Sequence, residues 1–273
     1  MSAKDAKKQA EKAILVVDIG NTTTKFGIAE GGELLSTWEI TTSRAQTADE
    51  AWFLLAGYLN FKPAASMGSE VPWPQDGIIS SVVPSLTSAW TQATARLTGR
   101  RPLVVGPGLK TSLKMDFNDP AEVGSDRVAD MVAARERYGF PVVVVDLGTS
   151  TNIEVMNDRG EFCGGIIAPG LHVSAAALSS KAARLPVVEI KAPASIVGKS
   201  TREAMQSGII MGEIARIDGL IDMVWRELGY ETSIVMYGPD AEAIGALMAH
   251  DVTVDQGLTL YGLVWLYQHN RKK

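Results

Sequence analysis

Short apolar runs recur along the chain, and each is stopped by a polar turn. Residues 13–17 are continuously apolar, read as a buried strand, and stop at Asp18-Ile19-Gly20-Asn21-Thr22-Thr23-Thr24. A second run, residues 142–145, stops at Asp146-Leu147-Gly148-Thr149-Ser150-Thr151-Asn152. Asp18 and Asp146 lie about half a chain apart, so the pattern is a repeat. After each copy the chain returns in a second short strand, residues 25–29 and 153–156, which runs into a turn-rich stretch, Glu30-Gly31-Gly32 or Asn157-Asp158-Arg159-Gly160. Both copies therefore open with a hairpin.

Further along the first half, periodicity predicts a helix over 48–59, a strand over 77–83, a helix over 87–97 and a strand over 102–105. The second half predicts helices over 174–183, 202–228 and 241–250, a strand over 233–237, and a terminal helix from Thr259. An initial hairpin is antiparallel, whereas strands joined through helices are usually parallel. The expectation is an α/β protein of two related domains with mixed sheets. Residues 13–123 form the first and 124–273 the second, with a connecting helix over 124–138 and a charged, solvated tail over 1–12. A cleft between duplicated halves is the default place for a ligand.

Composition narrows the class. With 273 residues and 46% hydrophobic content, the chain can bury a sizeable core, and 26 glycines with 12 prolines fit no collagen-like or disordered pattern. The net charge of −5 lacks the footprint of a general nucleic-acid binder. One cysteine, Cys163, excludes an internal disulfide and agrees with a reducing cytoplasm. His172, His250 and His269 stand too far apart for zinc-ligand spacing. The uncharged stretch 162–180 is broken by Gly164, Gly165, Pro169 and Gly170, so no membrane span is expected, and residues 1–12 lack the apolar centre of a secretory signal.

The repeated turns suggest chemistry. A hydroxyl-rich, glycine-containing turn after a buried strand presents backbone N–H groups that can hold phosphate oxygens. A carboxylate there repels phosphate, so the useful role of Asp18 is to hold Mg²⁺, directly or through water. One such turn is ordinary, because Asp, Gly, Asn and Thr are common turn residues. Two in matched positions suggest a nucleotide clamped between halves. At Gly124-Ser125-Asp126-Arg127 two readings stand side by side. Ser125 or Asp126 can cap the helix that continues through Val128, Met131 and Val132, or Asp126 can serve a reaction. Thr201 likewise reads as a helix cap, ahead of Gly208 and Gly212 on one helix face.

In order along the chain, several motifs together resemble the type III pantothenate kinases, of the actin-like and sugar-kinase-like ATPase fold. They are Asp18-Ile19-Gly20-Asn21-Thr22, Asn118-Asp119-Pro120, Gly124-Ser125-Asp126-Arg127, Asp146-Leu147-Gly148-Thr149, Gly164-Gly165-Ile166-Ile167-Ala168-Pro169-Gly170, Leu185-Pro186 and Gly198-Lys199-Ser200-Thr201. The resemblance implies two duplicated RNase H-like domains. It implies ATP-dependent phosphorylation of pantothenate at the start of coenzyme A biosynthesis, by a cytoplasmic homodimer using Mg²⁺ and a monovalent cation, K⁺ or NH₄⁺. Asp18, Gly20, Asn21, Thr22, Thr23, Thr24 and Lys25 would then face the ATP phosphates, with Asp18 on Mg²⁺. Asp146 would hold K⁺ and Thr149 would contact ATP. Phe117, Gly124, Ser125, Asp126, Arg127 and Thr201 would line the pantothenate site, with Asp126 as proton acceptor. No nucleic acid and no membrane are expected as partners.

The motifs also depart from the family pattern. Phe117 stands where a tyrosine is usual, Ser125 replaces an alanine, and Ser200 stands where asparagine is common. Asn152 and Glu154 replace the expected Thr and Asp. Tyr237-Gly238-Pro239-Asp240 replaces a Thr-Gly-Gly turn, and Pro239 removes an N–H donor that a nucleotide could use. A catalytically weak paralogue acting as a ligand-binding or regulatory protein is the alternative, and a kinase for another small hydroxyl substrate is a third reading.

Overall fold

The computed structural model describes residues 12–60, 71–181 and 191–271. The motif at 185–186, the end of the helix expected over 174–183, and all but the last residue of the 1–12 tail lie outside them. The chain divides into two compact units, one of residues 1–112, 118–133 and 257–273, the other of 113–117 and 134–256. This differs from a single break at 123/124: most of the helix after that point and the C-terminal helix pack with the first unit.

In the first unit, β1 (Ile14–Ile19) pairs antiparallel with β2 (Thr23–Glu30), which pairs with β3 (Glu33–Thr41). On its other side β1 runs parallel to β4 (Asp76–Ser81), and β4 to β5 (Leu103–Val104), so the order is β3-β2-β1-β4-β5. Leu15, Val17 and Ile19 point into a core with Phe26, Ile79, Leu55 and Trp90. That core is closed by α1 (Ala48–Asn60) and α2 (Pro84–Thr98). Ile14 and Val16, on the opposite face, are buried too, which is why the run reads as continuous rather than alternating. The ends are marked locally. Thr47 and Glu50 exchange side-chain to backbone bonds as a capping box, and Pro84 opens α2 while Gly99, at φ 73°, closes it.

Two helices complete this unit: α3 (Ser125–Tyr138), through its first part, and α8 (Leu258–Asn270). A Cβ at Gly262 would overlap the Ala129 carbonyl, so glycine is what lets α8 approach α3 this closely. At the far end Arg271 grips Asp76, which is 1% exposed, with two bonds of 2.9 Å, and also donates to the Arg101 carbonyl. Burial, and then the Asp76 charge, push the neighbouring Tyr267 hydroxyl up to about 12.

The second unit repeats the plan. Its sheet holds β6 (Lys114–Met115), β7 (Val142–Leu147), β8 (Ser150–Met156), β9 (Glu161–Pro169), β10 (Ser233–Tyr237) and β11 (Thr253–Val254), ordered β11-β10-β7-β8-β9-β6. Without β6 this is the first sheet again: an antiparallel meander of three, then two parallel strands. The duplication suggested by two short motifs thus extends to strand order. Its remaining helices are α4 (Leu171–Lys181), α5 (Thr201–Gln206), α6 (Gly212–Leu228) and α7 (Ala241–Gly245).

The structure corrects several sequence expectations. The third strand of each meander, β3 and β9, has no clear signal in the sequence: β3 breaks its alternation at Leu35-Ser36, opposite a register shift in β2, and β9 contains Gly164 and Gly165. The helix expected over 202–228 is α5 and α6 joined through a π-helical turn, Ser207–Met211. The helix expected over 241–250 stops at Gly245, which lies against Val252 as the chain turns back toward β11. No helix among the described residues is long and apolar enough to cross a membrane.

Arg271→Ala is expected to leave the Asp76 carboxylate buried beside a distant Arg100. The cost should be about 3 kcal/mol, read as a fall of roughly 6 to 12 °C in the thermal midpoint. Arg271→Lys should restore only part, because a point charge cannot reproduce the two-pronged grip. A midpoint unchanged in Arg271→Ala would show that the clasp carries no stability.

Candidate active site

The two repeated turns are built alike. Gly20 donates its N–H to the Thr23 carbonyl at 3.0 Å, and Gly148 donates to that of Ser150 at 3.0 Å. Each glycine amide is therefore used inside its own turn. A Cβ at Gly20 would lie 2.8 Å from the Thr23 oxygen, so close approach, rather than a left-handed φ, calls for glycine there. Thr42 holds the first turn from outside, donating to the Gly20 carbonyl at 2.8 Å and sharing a bond with Thr24. Asn21 and Thr22 are exposed, as Thr149 is in the second turn, while Thr24 is buried. Gly170 braces the second turn, donating to the Thr149 carbonyl at 3.1 Å.

Asp18 and Asp146 occupy equivalent, half-buried positions near the carboxyl ends of β1 and β7. Asp18 is in register with Lys25 and Ser80, and Asp146 with Asn152 and Tyr237. Directly paired residues point to one face of a sheet. Lys25, Asp18 and Ser80 therefore form a row, and Lys25 also faces Glu39 at 3.8 Å. In the second sheet Asn152 donates to Asp146 at 3.3 Å.

The row in the first unit leads to α3. Ser80 is fully buried and shares a 2.9 Å hydrogen bond with the Ser125 hydroxyl, which also accepts the Ser81 N–H at 3.0 Å. The Gly124 carbonyl accepts from Val128, so the first helical bond starts at Gly124. The Ser125 hydroxyl turns to the strand, and Asp126 Oδ1 accepts the adjacent first-turn Arg127 N–H at 2.8 Å. A Cβ at Gly124 would collide with that same oxygen. Burial pushes the Asp126 carboxyl up from the ordinary range, opposed by the Arg127 N–H bond and the Arg127 charge.

The other anticipated residues are spread over the second unit. Phe117 meets buried Phe162 edge to face, ring centroids 4.8 Å apart. The strand pair behind it is pinned by Glu161, which accepts from Lys114, Asn157 and Arg159, with the Lys114 contact foremost in holding its carboxyl down at about 2. Thr201 is exposed at the start of α5, and the cap there is Ser200, whose hydroxyl accepts the Glu203 N–H. Gly238 has φ 115°, and a Cβ on it would overlap the Leu147 carbonyl. Gln256 bonds both its N–H and its carbonyl, while Pro239 is exposed. Sequence reasoning missed Ser80, Ser81, Glu161 and Gln256. Only the Ser80-Ser81 pair carried a signal, as the polar end of an apolar strand.

Two mixed sheets of the same strand order, each with a carboxylate and a hydroxyl-rich turn after its central strand, define the actin-like ATPase and sugar-kinase class of fold. Across 95% of the chain and all of the other, the fold resembles that of a conserved candidate transcriptional activator of the Baf family from Campylobacter jejuni, with a TM-score of 0.58 at 18% identity. The sequence model of the type III pantothenate kinases matches residues 14–223. The type III pantothenate kinase of Acidobacterium capsulatum is 40% identical over 94% of this chain and 95% of its own. That of Moorella thermoacetica is 38% identical over 94% and 99%. The chain belongs to the type III pantothenate kinase family.

Asp126→Asn is expected to match or exceed the wild-type thermal midpoint at neutral pH. An acid with a raised folded pKa contributes stability that is full below its unfolded pKa, about 3.9, and is lost as pH rises through the folded value. Asparagine keeps the acceptor for the Arg127 N–H without the buried charge. The advantage should fade below about pH 4, and a variant less stable than wild type across pH 4 to 8 would contradict this account.

Proposed function

We propose that the protein transfers the γ-phosphoryl group of ATP to the hydroxyl of pantothenate, giving 4'-phosphopantothenate in the first step of coenzyme A biosynthesis. The observation that carries this is family membership over nearly the whole chain, with Asp126 held half-buried where α3 begins. Asp126 is the proton acceptor. It takes the hydroxyl proton as that oxygen bonds to the γ-phosphorus, and ADP leaves with the electrons of the broken P–O bond. A carboxylate made more basic by burial suits the task. No observation favours the alternative of a catalytically weak paralogue.

The turn from Asp18 to Lys25 takes the ATP phosphates through the residues after Gly20, whose own amide is engaged, and Thr149 contacts ATP from the second turn. Among the described residues no group of three or more His, Cys, Asp and Glu side chains gathers to hold a metal. A single carboxylate at the end of β1 beside a hydroxyl-rich turn suits Mg²⁺, which is commonly held by one or two carboxylates together with phosphate oxygens and water. Asp18 would hold it, and the ion when bound neutralises phosphate charge. Asp146, with Asn152 beside it, would hold K⁺ or NH₄⁺. Phe117, Gly124, Ser125, Arg127 and Thr201 belong to the pantothenate site by their motifs, the Arg127 guanidinium answering the substrate carboxylate.

The protein acts as a homodimer in the cytoplasm, and the segment over 201–224 contributes to the interface. The apolar residues of that segment do not carry this, since Met205, Ile209, Ile217 and Ile221 are buried within their own unit. The support comes from its other face, where a Cβ at Gly208, Gly212 or Gly219 would meet nothing within 4 Å and Met223 is 57% exposed.

ADP release with ATP, Mg²⁺ and K⁺ is expected to depend on pantothenate, and Asp126→Asn should abolish most of it while remaining folded. Equal release with and without pantothenate would overturn the substrate assignment. Light scattering at micromolar concentration should return twice the 29.2 kDa chain mass; a monomer would defeat the dimer.

A further inference from the structure

The hydroxyl of Ser125 faces inward, toward the strand that carries the active-site row. Ser81 is the last residue of β4, and on the β5 side the ladder has already ended, with Val105 donating to the Ile79 carbonyl. The Ser81 N–H is instead taken by Ser125 at 3.0 Å, and fully buried Ser80 completes the contact at 2.9 Å. Ser80 is also the register partner of Asp18. One hydroxyl thus joins the end of the strand beside Asp18 to the helix whose next residue is Asp126. The other end of this support is steric, since Gly262 lets α8 seat against Ala129, one helical turn further along α3.

We propose that Ser125 is a positioning residue for phosphoryl transfer, fixing the Asp126 carboxylate relative to the Asp18 strand through the Ser81 amide and the Ser80 hydroxyl. This rests on the reading of Asp126 as proton acceptor and deepens it. It also changes the expectation for Ser125 as a pantothenate contact. Loss of a substrate contact would raise KM, whereas loss of alignment between base and nucleophile lowers kcat. A displacement of the order of 1 Å can cost about 100-fold in rate.

The test measures kcat and the pantothenate KM for Ser125→Ala, Ser125→Thr and Ser80→Ala, each also in an Asp126→Asn background, with thermal midpoints alongside. Ser125→Ala restores the residue usual in the family but leaves this chain's Ser80 hydroxyl and Ser81 N–H without that partner, so it should lose roughly 10- to 100-fold in kcat with KM within about threefold. Ser125→Thr, which keeps the hydroxyl, should recover most of it, and Ser80→Ala should fall between. Because the effect acts through Asp126, Ser125→Ala should remove nothing further from the residual rate of Asp126→Asn. An unchanged kcat, a defect confined to KM, or an equal loss in the Asp126→Asn background would overturn the proposal. If Ser125→Ala does not fold, Ser80→Ala decides it by the same readouts. Wild-type turnover by Asp126→Asn itself would instead remove the proton acceptor, a failure distinguishable from that of the Ser125 link.

Discussion

The central strands β1 and β7 are buried on both faces, and the rest of the molecule is arranged around that constraint. Leu15, Val16 and Val17 in one, and the four valines over 142–145 in the other, are 0% exposed. Such a strand accepts no polar side chain until it leaves its covering layers. The first carboxylate, Asp18 or Asp146, therefore comes at the carboxyl end, where a tight turn also brings backbone groups and hydroxyls together. Open α/β sheets bind ligands beyond the carboxyl ends of their strands for this reason. Here the arrangement of apolar strand, carboxylate and tight turn occurs twice, once in each unit.

Carboxylates withdrawn from solvent are treated in two different ways. Asp76 is gripped by the two-pronged Arg271. Glu213, 4% exposed, accepts from Thr151 at 2.6 Å and is bridged by Arg216, which also reaches the Pro169 carbonyl. Both are held by a positioned guanidinium. The Asp126 carboxylate has the Arg127 N–H at 2.8 Å, and burial still outweighs that bond and the Arg127 charge, so its carboxyl lies above the ordinary range.

Glycine marks where backbone must come close rather than where the chain is loose. Gly124 makes room for the Asp126 oxygen, Gly262 for the approach of α8 to α3, and Gly238 for the Leu147 carbonyl. Each is a place where a Cβ would meet a neighbouring oxygen at well under 3 Å. This explains why the Gly238 turn tolerates Pro239 structurally: the glycine makes the close contact and Gln256 holds it, while the proline stays outside.

The sequence by itself determined what local patterning can encode. The paired runs ending at Asp18 and Asp146, the hairpins after them and the strand over 233–237 follow from residue order, because burial on both faces leaves a continuous apolar string. Motif order along the chain pointed to the family and to Asp126. Tertiary structure alone decided the rest. The amphipathic β3 and the glycine-containing β9 became strands because a neighbouring strand supplied their partners, and 246–250 left the helix because the chain had to reach β11. The serine that looked like a helix cap turned inward because an edge amide at Ser81 needed an acceptor. None of these is visible in residue order, since each depends on a hydrogen-bond partner or a steric neighbour that folding brings from elsewhere in the chain.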